Sequence, residues 1–99
     1  MEIDQAQRDA YQEKMHARLE ELQAEVEQLR AKAEATQADA KVRILEEVSH
    51  LQDKQKEASK KVRELNQTGS HAWEDIRQGA ESAWQEVSDA LDKARQRFR

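Results

Sequence analysis

The sequence predicts an all-α fold: a long helix followed by a shorter antiparallel helix, forming a helical hairpin that assembles as a coiled-coil oligomer. Two observations predict the helical class. The 99 residues include no proline and only 2 glycines, and these residue types supply most of the tight turns that β-rich and alternating α/β folds need. Apolar residues also recur at steps of three and four, which is the spacing of one helical face.

The composition indicates a single domain. Charged residues make up 38% of the chain and hydrophobic residues 36%, and 17 basic against 21 acidic residues give a net charge of −4. The absence of cysteine excludes a disulfide framework and a thiolate zinc site. No apolar run approaches membrane-spanning length, and the first residues lack the basic and apolar regions of a signal peptide, so we expect a cytoplasmic protein.

The first predicted helix covers about residues 3–66. Its apolar stripe begins with Tyr11, Met15, Leu19, Leu22, Val26, Leu29 and Ala33. It continues through Thr36, Ala40, Ile44, Val48, Leu51, Gln55, Ala58, Val62 and Leu65. Steps that alternate between four and three are typical of a coiled-coil seam.

A turn is predicted at residues 67–70, around Gly69 and Ser70. Gly69 is expected to adopt the left-handed conformation that closes a helix, and Thr68 or Ser70 to cap the next one. The second helix is predicted over about residues 71–98. Acidic residues in its first turns and basic residues in its last turns suit the helix dipole.

The second helix contains an eleven-residue repeat. The segment Ala72-Trp73-Glu74-Asp75-Ile76 recurs as Ala83-Trp84-Gln85-Glu86-Val87. Eleven residues in three turns keep a stripe on one face of a helix. That stripe consists of Trp73, Ile76, Ala80, Trp84, Val87, Leu91, Ala94 and Phe98.

Charge complementarity predicts how the two helices pack. Residues 71–92 carry six acidic residues and one base, whereas residues 54–63 carry five bases and one acid. A short turn places these stretches side by side, and such a pattern selects one orientation over others. The predicted packing residues are Ile44, Val48, Leu51, Ala58, Val62, Leu65, Trp73, Ile76, Ala80, Trp84, Val87, Leu91 and Phe98.

The unequal helices predict self-association. At 1.5 Å per residue, the first helix would span roughly 90 Å and the second about 40 Å. The stripe from Tyr11 to Ala33 then has no partner within the chain. We therefore expect a homo-oligomer, either a dimer or a tetramer, that buries this stripe between chains.

A compact three-helix bundle is the competing architecture. It would use segments near residues 3–34, 37–66 and 71–98, which have similar lengths, and a turn near Thr36. Residues 31–35 favour helix strongly and contain no glycine, so the continuous first helix is the leading prediction.

Candidate chemical sites are few. Glu13 and His16, like Glu47 and His50, have the Glu-x-x-His spacing of di-iron bundles, but neighbouring apolar residues already occupy the inward positions. The sequence shows no phosphate-binding loop and no nucleophile set, so we expect neither an enzyme nor a cofactor. The basic stretch 54–63 has an acidic partner in the chain, and nucleic acid is not an expected partner.

The aromatic stripe of the second helix also allows a different function. Amphipathic helices of this kind bind lipid surfaces, although residues 74–92 are mostly acidic where interfacial helices usually carry lysine and arginine. Two functions are thus predicted. The leading one is a non-enzymatic, self-associating structural or interaction protein. The other is an amphipathic membrane-surface or client-protecting protein that exposes the face from Trp73 to Phe98.

The paired tryptophan segment resembles a family of small bacterial coiled-coil stress-response proteins. The resemblance lies in Ala72-Trp73-Glu74-Asp75-Ile76, Gly79 and Ala83-Trp84 after the Gly69-Ser70 turn. Tyr11-x-x-Lys14, Leu29-x-x-Lys32-Ala33 and Ala38-Asp39-Ala40-Lys41 are also similar to that family's helix. The resemblance implies a bacterial cytoplasmic protein of stress-related or unknown function, with no assigned active site.

Overall fold

The computed structural model describes residues 4–98 and forms a bundle of three α-helices. They are α1 (Gln5–Glu34), α2 (Ala38–Gln67) and α3 (Ser70–Gln96). Consecutive helices run in opposite directions, so that α1 and α3 are parallel, and the bundle measures 52 × 20 × 17 Å. The all-α class is confirmed. The three-helix alternative fits this arrangement, and the leading prediction of one unbroken helix over residues 3–66 is wrong.

The break between α1 and α2 takes only three residues. Ala35 (φ −86°, ψ 0°) stays close to helical geometry, whereas Gln37 (φ −61°, ψ 151°) is extended. Thr36 Oγ1 donates to the carbonyl of Lys32 at 2.8 Å, a local bond that competes with continuation of the helix. Helix propensity favours continuity here, but the break lets the apolar stripe of α1 pack inside the chain, and tertiary packing outweighs propensity.

A capping box starts α1. Asp4 Oδ1 accepts from the Gln7 amide at 2.8 Å, and the Asp4 amide donates to Gln7 Oε1 at 3.2 Å. These two reciprocal bonds satisfy amides that have no partner within the helix. The predicted start near Ile3 lies outside the described residues.

The turn between α2 and α3 lies where the sequence predicts it, but with a different local geometry. Gly69 has φ −72° and ψ 167°, which is extended rather than left-handed. Gly69 is itself the N-cap residue of α3, and Thr68 Oγ1 donates back to the carbonyl of Glu64. The expected left-handed Gly69 is therefore wrong, and the expected cap is wrong as well, because the N-cap of α3 is Gly69 rather than Thr68 or Ser70.

The charge pattern of α3 agrees with the helix dipole only at its C-terminal end. Lys93 and Arg95 lie in its last turn, where positive charge is favoured. Its first turn contains no acidic residue, so the predicted acidic start is not placed where the dipole acts most strongly. Near its start, Arg77 Nε donates to both carboxylate oxygens of Glu74 at 3.0 Å, and this bond lowers the pKa of Glu74. The helix ends at Gln96, slightly before the predicted end at residue 98.

The main core runs along the half of the bundle that contains the α1–α2 turn. All three helices contribute buried side chains to it: Leu22, Val26, Leu29, Ala33, Ile44, Val48, Leu51, Ala58, Ala83, Val87, Ala90 and Ala94. Many of these residues are alanines, which allow the helices to approach closely. The bundle is consequently narrow.

A smaller aromatic cluster closes the other end of the bundle. Leu65, Trp73 and Ala80 are buried there, with Tyr11 and Ile76 packed against them. The Tyr11 and Trp73 rings meet edge to face, with centroids 5.6 Å apart and an interplanar angle of 79°. This geometry suits the ring quadrupoles, and it joins the start of α1 to the start of α3.

Candidate interaction surfaces

The residues predicted to pack the hairpin lie in the interior of the bundle. Nine are buried: Ile44, Val48, Leu51, Ala58, Val62, Leu65, Trp73, Ala80 and Val87. The other four, Ile76, Trp84, Leu91 and Phe98, are partly buried. Their inward position is thus as predicted, but they pack against α1 as well as against each other.

The residues predicted for self-association are covered within the chain. Met15, Leu22, Val26, Leu29 and Ala33 are buried, and Tyr11 and Leu19 are partly buried. The expectation that this stripe has no partner inside the chain is wrong, because the break after Glu34 folds α1 back along α2 and α3. In the closed bundle, this stripe is not exposed to a second chain.

Sequence reasoning missed two small core residues of α3. Ala83 and Ala90 are buried, yet neither was placed on the predicted apolar stripe, whereas Ala94 was placed there and is buried. The signal was present: Ala80, Ala83, Val87, Ala90 and Ala94 follow steps of three, four, three and four. A helix that packs against two neighbours buries a wider face than a helix in a hairpin, and these alanines widen the face.

The boundary between α1 and α3, here called the α1–α3 seam, is bridged at one end by Tyr11. Its hydroxyl donates to Glu81 Oε1 at 2.6 Å. Burial of the ring, together with the hydrogen bond to Glu81 and its negative charge, raises the pKa of Tyr11. The guanidinium of Arg77 lies 5.9 Å from the centre of the Tyr11 ring, so the aromatic face is covered as well.

Long basic side chains bridge the rest of the α1–α3 seam. Arg18 lies 5.5 Å from the centre of the Trp84 ring, and its Nη1 is 4.0 Å from Glu81 Oε1. Lys32 Nζ lies 5.7 Å from the centre of the Phe98 ring. Cation–π and ion-pair contacts of this kind are weak where water reaches them. The α1–α3 seam is therefore held at its surface by individually weak contacts.

The boundary between α2 and α3 shows part of the predicted charge complementarity. Lys54 Nζ is 3.6 Å from Glu86 Oε1, and Arg97 Nη2 is 2.9 Å from Glu47 Oε1. These pairs join the basic part of α2 to acidic α3, and the basic end of α3 to the start of α2. Arg95 departs from the expected pattern, because it pairs with Glu25 of α1.

An open polar groove of about 520 Å³ runs between the outer faces of α1 and α2. Across it, Gln55 Nε2 donates to Gln23 Oε1 at 2.7 Å, and Arg30 Nη2 donates to Gln52 Oε1 at 3.0 Å. These bonds are made by amide and guanidinium groups near solvent. They join α1 to α2 at the surface of the bundle.

The two Glu-x-x-His sequences lie on the surface. His16 and His50 are both exposed, and Glu47 is engaged by Arg97. Within residues 4–98, no three His, Cys, Asp or Glu side chains lie close enough together to hold a metal ion. In the same part of the chain, no helix is long and apolar enough to cross a membrane.

No protein-family model, curated protein or solved structure matches this chain. The resemblance to bacterial coiled-coil stress-response proteins therefore rests on the sequence motifs alone.

Proposed function

We propose that this chain is a non-enzymatic structural and interaction protein that self-associates by releasing α1 from the closed bundle. The observation that carries the proposal is the unequal attachment of the three helices. A two-residue turn joins α2 and α3, whereas α1 follows a three-residue break. Outside the shared core, long side chains bridge the α1–α3 seam through individually weak contacts. Released α1 presents an apolar stripe, and the space it leaves on α2 and α3 fits the same stripe of another chain.

The burial pattern supports this proposal. Met15, Leu22 and Val26 are each at most 2% exposed in the closed bundle. A released α1 would place these side chains in water, and a second chain is a complementary cover for them. The polar contacts that must break are partly exposed: the side chains of Arg18 and Glu81 are 30% and 41% accessible. Breaking such pairs costs little, and higher salt weakens them further.

Sedimentation velocity and circular dichroism over a hundredfold concentration range test self-association. We expect the weight-average mass and the thermal midpoint to rise with concentration, because association stabilises the folded helices by mass action. A mass of one chain and an unchanged midpoint over the whole range would contradict the proposal.

A matched variant separates helix release from simple surface contact. Val42 is the one large hydrophobic residue exposed in the described part of the chain, at 58%. If association proceeds through released α1, Val42→Lys leaves the association constant unchanged. Loss of association in Val42→Lys would instead place the contact on the surface of the closed bundle.

A second candidate function uses α3. This helix buries Trp73, Val87 and several alanines on one face and carries mostly acidic residues on the other. Release of α1 would uncover the face from Trp73 to Phe98 for a lipid surface or for an apolar client protein. A change in tryptophan emission on adding phosphatidylcholine vesicles would support lipid binding, and unchanged emission would contradict it.

The cellular role is proposed on the sequence resemblance. Similarity to the stress-response family supports a cytoplasmic protein of a bacterial stress response, acting as a homo-oligomer. Deletion of the coding sequence, followed by growth under oxidative, osmotic and light stress, tests this role. Unchanged survival under all three conditions would contradict it.

A further inference from the structure

We propose that the partner is a second copy of this chain and that the two copies exchange α1 by straightening residues 35–37. This inference rests on the proposed self-association and specifies its geometry. In the exchanged dimer, one helix runs from Gln5 to Gln67, and the α1 half of each chain packs on α2 and α3 of its partner. Exchange of an identical element between copies is a low-cost route to a dimer.

The conformation of the segment between α1 and α2 supports this exchange. Ala35 has a helical φ of −86° with ψ at 0°, and Gln37 departs from helical geometry mainly in ψ, at 151°. No residue from 35 to 37 is a glycine or proline, and no residue in the described part of the chain has a positive φ. Continuing the helix therefore requires rotations in this segment, including a large one in ψ of Gln37, and no residue type in the segment prevents them.

The other turn does not offer the same route. Thr68 (ψ 137°) and Gly69 (ψ 167°) are consecutive extended residues. Each segment contains one threonine, but Gly69 has a lower helix propensity than any residue from 35 to 37, because glycine loses the most backbone freedom in a helix. The α2–α3 hairpin therefore stays closed while α1 swings away.

The apolar pattern fits the open helix as well as the closed bundle. Leu29, Ala33, Thr36, Ala40 and Ile44 follow steps of four, three, four and four across the break. On a continuous helix these residues stay on one face, so straightening leaves the stripe intact. Every contact that α1 makes in the closed bundle can form again with the partner chain, and only the three-residue segment differs.

Cross-linking between differently labelled chains tests the exchange. Since the chain contains no cysteine, single cysteines can be placed at Gln23 and Gln55, whose side chains meet at 2.7 Å. The Gln23→Cys and Gln55→Cys proteins are unfolded, mixed, refolded together at high concentration and treated with a short bismaleimide. We expect a covalent dimer containing one copy of each variant, because α1 of one chain lies on α2 of the other.

The pair Lys54 and Glu86 is the matched control. These residues join α2 to α3 at 3.6 Å, and that hairpin stays within one chain in both forms. A mixture of Lys54→Cys and Glu86→Cys should therefore give no dimer linked between these two positions. Equal cross-linking of both mixtures would overturn the proposal, because it would indicate unspecific contact between chains.

Ala38→Pro tests the straightening itself. Ala38 is the exposed first residue of α2 and follows extended Gln37, a position where proline is tolerated and suits the preceding conformation. In a helix continuous from Gln5 to Gln67, the same proline lies in the interior and breaks the helix. We expect Ala38→Pro to keep the thermal midpoint of the dilute protein and to lower the dimer association constant by more than about a hundredfold.

Ala38→Ser is the control at the same position, since serine permits a continuous helix, and it should retain the dimer. A dimer that survives Ala38→Pro and gives no Gln23–Gln55 cross-link would overturn the exchange while leaving self-association in place. A chain that stays monomeric in all variants, including after refolding at high concentration, would overturn both.

Discussion

Gly79 lies inside α3, where it faces Lys61 of α2. A Cβ atom at Gly79 would meet Lys61 Cδ at 3.8 Å, which is an ordinary contact. The close approach of α2 and α3 therefore does not require glycine at this position. Because glycine in a helix interior is less favourable than alanine, we expect Gly79→Ala to raise the free energy of unfolding by about 0.5–1 kcal/mol. Urea denaturation followed by circular dichroism measures this change.

Gly69→Ala is the control for Gly79→Ala. Gly69 also has open space around its Cα and a φ of −72°, which alanine can adopt. It is, however, the N-cap of α3, where alanine is less favourable than glycine. Gly69→Ala should therefore leave stability unchanged or lower it slightly. A lower stability for Gly79→Ala than for the unmodified protein would show that the α2–α3 boundary is tighter than the 3.8 Å contact indicates.

Tyr11 gives the protein a pH-dependent contribution to stability in the alkaline range. Its pKa is raised in the folded chain by burial and by Glu81, whereas an unfolded tyrosine ionises near pH 10. Between these two pKa values the folded state binds more protons, so the free energy of unfolding falls as pH rises. Below about pH 10 the contribution of Tyr11 is fully present.

Tyr11→Phe isolates this contribution. The variant keeps the ring against Trp73 but loses the hydroxyl, and other groups titrate equally in both proteins. We expect the difference in thermal midpoint between the two proteins to shrink as pH is raised above about 10. Since Tyr11 is the single tyrosine of the chain, tyrosinate absorbance follows its ionisation directly. Ionisation near the ordinary tyrosine pKa in the folded protein would contradict the burial of this hydroxyl.

At the scale of the helices, α1 and α2 begin differently. Asp4 caps α1 with a full capping box, whereas Gln37 is the N-cap of α2 and makes no side-chain capping bond. Serine at an N-cap accepts a bond from the first-turn amides, and glutamine is a poor substitute. We expect Gln37→Ser to raise the free energy of unfolding by about 0.5–1 kcal/mol, and Asp4→Ala to lower it by about 1 kcal/mol. Chemical denaturation measures both changes, and a fall in stability with Gln37→Ser would contradict this description of the α2 start.

The sequence predicts those helical features that the local spacing of apolar residues determines. The stripe from Trp73 to Leu91, the turn near Gly69 and the inward face of α2 all follow from apolar spacing, and the structure places them as expected. The break at residues 35–37 has no local signal of that strength, because alanine and glutamate around it favour helix. Its cause lies in the tertiary structure: folding back covers Met15, Leu22 and Val26 within the same chain.

The interaction surfaces were less predictable than the helices. Charge patterning correctly placed the basic stretch 54–63 beside acidic α3, where Lys54 meets Glu86, since these helices are neighbours in both the hairpin and the bundle. It did not predict Arg95 against Glu25 or Tyr11 against Glu81, which require α1 to lie beside α3. Contacts between α1 and α3 can be predicted only when the direction of α1 relative to α3 is known.

At the scale of the whole molecule, the closed bundle and the exchanged dimer bury the same apolar faces. The closed form interrupts the helix at residues 35–37, which is unfavourable, but it avoids the loss of translational and rotational entropy that occurs when two chains associate. The exchanged form gains helical hydrogen bonds across the break. The protein concentration therefore determines which form predominates. Dilution favours the closed monomer, and a high concentration of the chain favours the exchanged dimer.

Small-angle scattering distinguishes the closed chain from an unbroken rod. The Cα radius of gyration is 15.9 Å, above the roughly 13 Å typical of a compact domain of 100 residues, because the bundle is elongated. A continuous first helix of roughly 90 Å would give about 26 Å for a thin rod of that length. At low concentration, where forward scattering gives the mass of one chain, we expect a radius near 16 Å. A radius near 26 Å at that same mass would mean that α1 is detached in the isolated chain. It would contradict the closed bundle and the break at residues 35–37.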